Sequence, residues 1–203
     1  GDLFTMAADG SDVVTVHAAD DLEAEDPVYS PDGEQIAFAT RISSKGAIRV
    51  ATVPAAGGMP TSLPVPYGAN GAISPDGTWL AYTPHSIDNR TWKRYRGGMA
   101  TDIWLFNLKD KTSKKITDWE GIDTLPMWFK DKVYYHTDMG GCAYGYEGDH
   151  RLNLWVYNPA TGKRSQLTKF KDFDVKWPSM GPGRGGRGEI VFQNGASLYL
   201  LDL

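Results

Sequence analysis

Residues 90–98 read RTWKRYRGG, a run in which Arg90, Lys93, Arg94 and Arg96 alternate with Trp92 and Tyr95 before closing on a glycine pair. A guanidinium offers a planar fork that matches a carboxylate, and indole and phenol rings supply faces on which cations stack. The expected ligand is therefore an acidic or free-carboxylate peptide, with Trp92, Lys93, Arg94, Tyr95 and Arg96 as its contacts. Successive side chains of an extended stretch point to opposite faces. Lys93 and Tyr95 would then face one way and Arg94 and Arg96 the other, so that one face lines an opening while the other meets a neighbouring domain. The competing reading is a loop whose rings plug a sheet and whose cations are solvated.

Other residue sets point less clearly to chemistry. His136, Asp138, Glu147, Asp149 and His150 are acceptable zinc or calcium ligands by type, but their spacing matches no ligand motif. No metal or other cofactor is expected. Segment 139–151, MGGCAYGYEGDHR, has the glycines and tyrosines of a loop. Cys142 within it is the chain's one cysteine, which excludes an internal disulfide and a thiolate cluster. Asp26, Asp123 and Asp174 recur near the starts of strands, in the way that blade construction requires. A carbohydrate-active propeller enzyme, a glycosidase or polysaccharide lyase working with paired carboxylates or a His, is the enzymatic alternative. No Gly-x-Ser-x-Gly nucleophile motif occurs. The Arg-Gly stretches RYRGGM and GRGGRG are a weak nucleic-acid signal against a sequence pI of about 5.5, and no nucleic acid is expected as a partner.

The 203 residues allow one substantial core, and no apolar window approaches the ~18 residues that span a bilayer. A soluble, cytoplasmic chain without a membrane partner is the expectation. The start lacks an initiator Met and a secretory pattern, which predicts a processed chain or an excised fragment. Charge is uneven: residues 1–90 hold four Lys/Arg against twelve Asp/Glu, and residues 91–203 hold seventeen against thirteen. A basic second half favours an anionic partner.

The elements that must position these groups are repeats. DPVYSPDGEQIAFAT (26–40) returns as NGAISPDGTWLAYTP (70–84), with degenerate copies at 125–138 and 177–195. A second motif follows each copy, with Leu3, Ile48, Ile103, Leu154 and Leu198 at equivalent places. Ser-Pro-Asp-Gly suits a tight hairpin, because Pro presets φ and Gly accepts the left-handed conformation. Short apolar or aromatic runs between such turns read as strands, and four strands per repeat of about 45 residues is the pattern of a propeller blade. The expected fold is all-β: a β-propeller of four-stranded antiparallel blades, incomplete, with about seventeen strands representing four to five blades. As a single module over 1–203 it divides into a partial blade 1–25, blades 26–69, 70–121 and 122–172, and a partial blade 173–203. Open blade edges would accept a second copy of the chain, giving a homo-oligomer.

The units built on YSPDGEQIAFAT and ISPDGTWLAYTP resemble the TolB-type, or WD40-like, propeller repeat. TWKRYRGGMATDIWLFNLKDKTSKKIT, together with DVKWPSMGPG and GEIVFQNGASLYLLDL, more narrowly resembles the amino-terminal six-bladed propeller of tricorn proteases. The resemblance implies a non-catalytic module of a serine peptidase that binds or gates peptide substrates and products. Its partners would be a protease core and other domains of a parent chain. In that family the catalytic serine and histidine lie in later domains, so it assigns no catalytic residue here. Relative to the family pattern, the opening blade and a half is missing and 139–151 is an insertion. A TolB-like protein-interaction propeller without a protease is the alternative.

Overall fold

Ser30 and Ser74 close two hairpins in the same way. Each accepts at its carbonyl from the glycine three residues on (Gly33 N at 2.8 Å, Gly77 N at 2.9 Å), and each hydroxyl accepts from the first residue of the next strand, Gln35 N or Trp79 N, at 2.9 Å. Gly33 and Gly77 have φ of 75° and 68°, the left-handed region in which a side chain is strained. The aspartates at the third turn position, Asp32 and Asp76, accept from Glu34 N and Thr78 N at 3.0 and 3.1 Å. Hydrogen bonds from the serine hydroxyls in particular hold both carboxyls below the usual carboxylate range. The tetrad is thus a self-contained turn, and its function is structural.

These turns organise a computed structural model that describes residues 1–18, 23–41, 46–86, 95–140 and 150–203. Among the described residues there are seventeen strands in five antiparallel sheets, each running in sequence order, and a single 3-10 turn at Arg184–Gly186. The first sheet pairs β1 (Leu3–Thr5) with β2 (Val14–His17). The second holds β3 (Ala24–Tyr29), β4 (Gln35–Arg41), β5 (Ile48–Pro54) and β6 (Thr61–Ser62). The third holds β7 (Ala69–Ile73), β8 (Trp79–Thr83), β9 (Trp104–Asn107) and β10 (Ser113–Lys115). β11 (Asp123–Phe129), β12 (Lys132–Thr137), β13 (Asn153–Asn158) and β14 (Lys163–Gln166) form the fourth. β15 (Val175–Gly181), β16 (Glu189–Asn194) and β17 (Ser197–Asp202) form the fifth. Four-stranded meanders of this kind are propeller blades, so the all-β blade architecture read from the repeats is the one observed. The chain forms two compact units, Gly1–Ser86 with Trp104–Lys114, and Ile87–Ile103 with Lys115–Leu203.

The opening strand of each repeat carries a device that turn chemistry did not reveal. Asp26, Asn70, Leu125 and Trp177 all have φ between 48° and 51°, and each lies in a break of strand register. Pro27, Gly71, Pro126 or Pro178 follows. This is a β-bulge repeated four times, seated where Pro or Gly interrupts a strand. At the second copy Gly is required for space as well, since a Cβ on Gly71 would stand 2.6 Å from Val50 Cγ1. The bulge also corrects one equivalence. Asp26 occupies the bulge, whereas Asp123 and Asp174 precede the bulge residues Leu125 and Trp177.

Packing within each unit follows one rule. Ile36 and Phe38 meet Leu3 and Val16; Leu80 and Tyr82 meet Ala37 and Val50; Ile190 and Phe192 meet Tyr134 and Leu154. In these three seams the later sheet offers an aliphatic and an aromatic residue, two apart on its second strand, to the sheet before it. The fifth sheet shows what the opposite face looks like without a neighbour: Leu198 and Leu200 are 78% and 60% exposed, while their repeat counterparts Leu154 and Val50 are at 0%. Leu154→Ala is expected to cost about 2–5 kcal/mol of unfolding free energy and Leu198→Ala less than about 0.5 kcal/mol. Urea denaturation of the two variants measures the difference, and equal losses would contradict this packing rule.

Candidate functional site

Of the five sequence-predicted contacts, Tyr95 and Arg96 are among the described residues, while Trp92, Lys93 and Arg94 lie outside them. Arg96 reaches a cluster built on Asp138, just past the end of β12. Arg96 Nη1 donates to Asp138 Oδ2 at 2.8 Å and to the Tyr95 carbonyl at 3.3 Å. The other carboxylate oxygen accepts from Trp119 Nε1 at 2.8 Å and from Ile122 N at 2.9 Å. The guanidinium lies over the Trp119 ring, 4.9 Å from its centroid, and the same indole stacks on His150 at 6.2 Å. His150 Nδ1 is within 3.4 Å of Arg96 Nη2.

Burial sets the strength of this arrangement. The Asp138 side chain is 2% exposed and that of Arg96 21%, so the pair is screened far less than a surface salt bridge. Three donors hold a carboxylate that would otherwise be costly to bury. Gly121 makes room for it: a Cβ there would run into Arg96 Nη1 and Asp138 Oδ1. The arrangement holds a guanidinium in one orientation, with one edge spent on Asp138. Trp119 and Gly121 were not singled out from sequence, and Asp138 was singled out only as a metal-ligand type. The available signal was WEG (119–121) immediately before a strand.

Behind Asp138 lies a second carboxyl. Asp123, at the start of β11, is 1% exposed, and its Oδ2 has no hydrogen-bond partner among the described residues. Its backbone is tied to Thr101 twice, Asp123 N to Thr101 O at 2.9 Å and Thr101 Oγ1 to Asp123 O at 2.8 Å. Burial pushes the Asp123 carboxyl up to about 7; hydrogen bonds from Thr137 and Thr117 oppose this, and the charges of Asp102 and Asp138 add to it. Burial, then the Asp123 charge, also pushes the Tyr135 phenol up.

The remaining acids of the sequence reading are engaged in construction. Asp26 Oδ2 accepts from Asn70 Nδ2 at 2.9 Å, linking the bulges of β3 and β7, and Asp174 Oδ1 accepts from Leu152 N at 3.1 Å. Of the metal-ligand types, Glu147 and Asp149 lie outside the described residues, as does Cys142. His136 is buried opposite Leu154 and Thr124, away from His150 in the cluster above. Among the described residues no three His, Cys, Asp or Glu side chains converge as metal ligands.

Residues 43–203 match the family described as the tricorn protease N-terminal β-propeller domain. A tricorn protease homolog of Saccharolobus solfataricus is 28% identical over 145 residues, 71% of this chain and 12% of that protein. The tricorn protease of Thermoplasma volcanium is 31% identical over 111 residues, 55% of this chain and 9% of that protein. The chain therefore matches about a tenth of the length of these relatives. A putative TolB from Agrobacterium tumefaciens shares the fold with a TM-score of 0.69 over 100% of this chain and 70% of its own, at 17% identity. A crystal structure of the tricorn protease gives 0.53 over 99% of this chain and 23% of its own, at 16% identity.

Two outcomes are expected. The folded-state value of Asp123 lies above the ordinary 3.8, so the neutral acid favours the fold. That contribution is whole below the ordinary value and is lost as pH rises through about 7. From pH 5 to pH 8 the chain should lose about 2–3 kcal/mol through this group, and Asp123→Asn should remove that part of the slope. Urea denaturation at both pH values reads it, and identical slopes would contradict it. Gly121→Ala should cost about 1–3 kcal/mol and disperse the Arg96–Asp138 pair, visible as a shift of the Trp119 indole N–H resonance. An unmoved resonance would show that the cluster tolerates the added methyl.

Proposed function

As the chain belongs to the family of tricorn protease N-terminal β-propeller domains, we propose that it is a non-catalytic module of a tricorn-type serine peptidase, which binds or gates peptides beside a protease core. Trp92, Lys93, Arg94, Tyr95 and Arg96 are the peptide contact in this reading. The observation that carries it is the state of Arg96: a guanidinium fixed by Asp138 over the Trp119 ring, at the end of a run of cations. An oriented guanidinium loses little freedom when a carboxylate arrives, and its planar fork recognises that group's geometry.

The ligand class is a peptide with a free C-terminal carboxylate or an acidic side chain. The core and the other domains of a parent chain are the partners, and the cytoplasm is the compartment. Catalysis belongs, in this reading, to those other parts.

Binding of a fluorescein-labelled peptide with a free C-terminus, followed by anisotropy, tests the proposal. Arg94→Ala and Arg96→Ala should each weaken binding about tenfold, the size of one lost charge-assisted hydrogen bond. The C-terminal amide of the same peptide should bind the unaltered chain correspondingly less well. Equal affinity of acid and amide, or unchanged affinity in both variants, would sink the reading.

A further inference from the structure

His150 Nδ1 has two neighbours that ask opposite things of it. Arg96 Nη2 lies 3.4 Å away and the Asp138 carbonyl oxygen 3.3 Å away. A guanidinium only donates and a carbonyl only accepts, while an imidazole nitrogen does one or the other according to whether it carries a proton. One nitrogen therefore cannot satisfy both. Without its proton, Nδ1 accepts from Arg96, so the guanidinium is held at both edges, Nη1 by Asp138 and Nη2 by His150. With a proton on Nδ1 the ring donates to the Asp138 carbonyl instead. In the imidazolium both ring nitrogens are protonated, so this is the only arrangement left, and a second positive charge stands against Arg96.

The ring itself is placed by other forces. It stacks on Trp119 at an interplanar angle of 26°, and that indole is held by Asp138. The proton changes on a fixed ring, and the group that must yield is Arg96 Nη2. We propose that His150 is a positioning residue for Arg96: neutral with its proton on Nε2, it locks the outer edge of the guanidinium, and protonated on both nitrogens, it releases that edge to an incoming carboxylate. Among the described residues, the charged and titratable groups beside the ring include Arg96, the Asp138 carboxylate that pairs with it and the adjoining Arg151; Asp123, which feels the charges of Asp138 and Asp102, lies behind Asp138. Trp119 carries no charge. Only the consequence for ligand affinity rests on the peptide reading above; the exchange of partners at Nδ1 does not.

The test follows the Trp119 indole N–H resonance, identified by its loss in Trp119→Phe, across the pH titration of the unaltered chain, His150→Asn and Asp123→Asn. In the unaltered chain the resonance should move with the same midpoint as the His150 ring protons. Asp123→Asn should keep the movement and His150→Asn should abolish it. The labelled free-carboxylate peptide should bind about two- to fivefold more tightly below that midpoint than above it, the size of one added half-exposed ion pair, and His150→Asn should remove the difference. A Trp119 resonance that stays still through the ring's titration, or that moves with Asp123 instead, overturns the proposal, and the unaltered chain alone suffices for the first of these. A peptide that binds equally at both pH values overturns the release of Arg96 to ligand. If the peptide binds at no pH, the peptide reading fails, and the resonance by itself decides the role of His150.

Discussion

A four-stranded sheet has two faces and no means of burying either by itself. The packing of the sheets within each unit follows from how that constraint is met. Within each unit a sheet places an aliphatic–x–aromatic pair of its second strand on the aliphatic face of the sheet before it, as Leu80 and Tyr82 do on Val50 and Ala37. The hydrophobic term is roughly proportional to the area removed from water, so the seams, not the strand ladders, hold the sheets together. The repeat in the sequence is the record of that seam being made again and again.

The seam also explains the strain. The opening strand β7 comes so close to its neighbour that a Cβ on Gly71 would stand 2.6 Å from Val50 Cγ1, and bulges at Asp26, Asn70, Leu125 and Trp177 mark the same place in each opening strand. Holding non-glycine residues at positive φ costs free energy, and the cost recurs at the same position in every copy because the geometry recurs. Pro and Gly follow those residues for the same reason: neither contributes to a regular ladder.

The Asp138 cluster meets a different constraint. It carries charge into the protein, which is tolerable only when that charge is paired and hydrogen-bonded. Arg96, Trp119 and Ile122 supply the donors, and Gly121 stays small to admit them. Asp123 shows the contrary solution a short distance along the chain: a buried carboxyl with too few donors raises its own proton affinity instead. The two carboxyls therefore differ in donor count, with three donors on Asp138 and one oxygen of Asp123 left without a partner among the described residues. The stretch 92–96 was legible from sequence as a concentration of cations and rings. Its connection to Asp138, Trp119 and His150 was not, because 42 and 54 residues separate Arg96 from Asp138 and His150.

By itself the sequence determined the class of the fold, the turn geometry at Ser30–Gly33 and Ser74–Gly77, and the order of strands in each sheet. Those depend on short-range physics: backbone sterics at Pro and Gly, alternation along a strand, and the repetition of both. Only the tertiary structure decided which of several similar aspartates is buried with a raised proton affinity, which is held by three donors and which ties one strand to the next. Proton affinity and hydrogen bonding depend on donors and dielectric contributed from distant parts of the chain, and no local pattern encodes a neighbour that arrives only on folding.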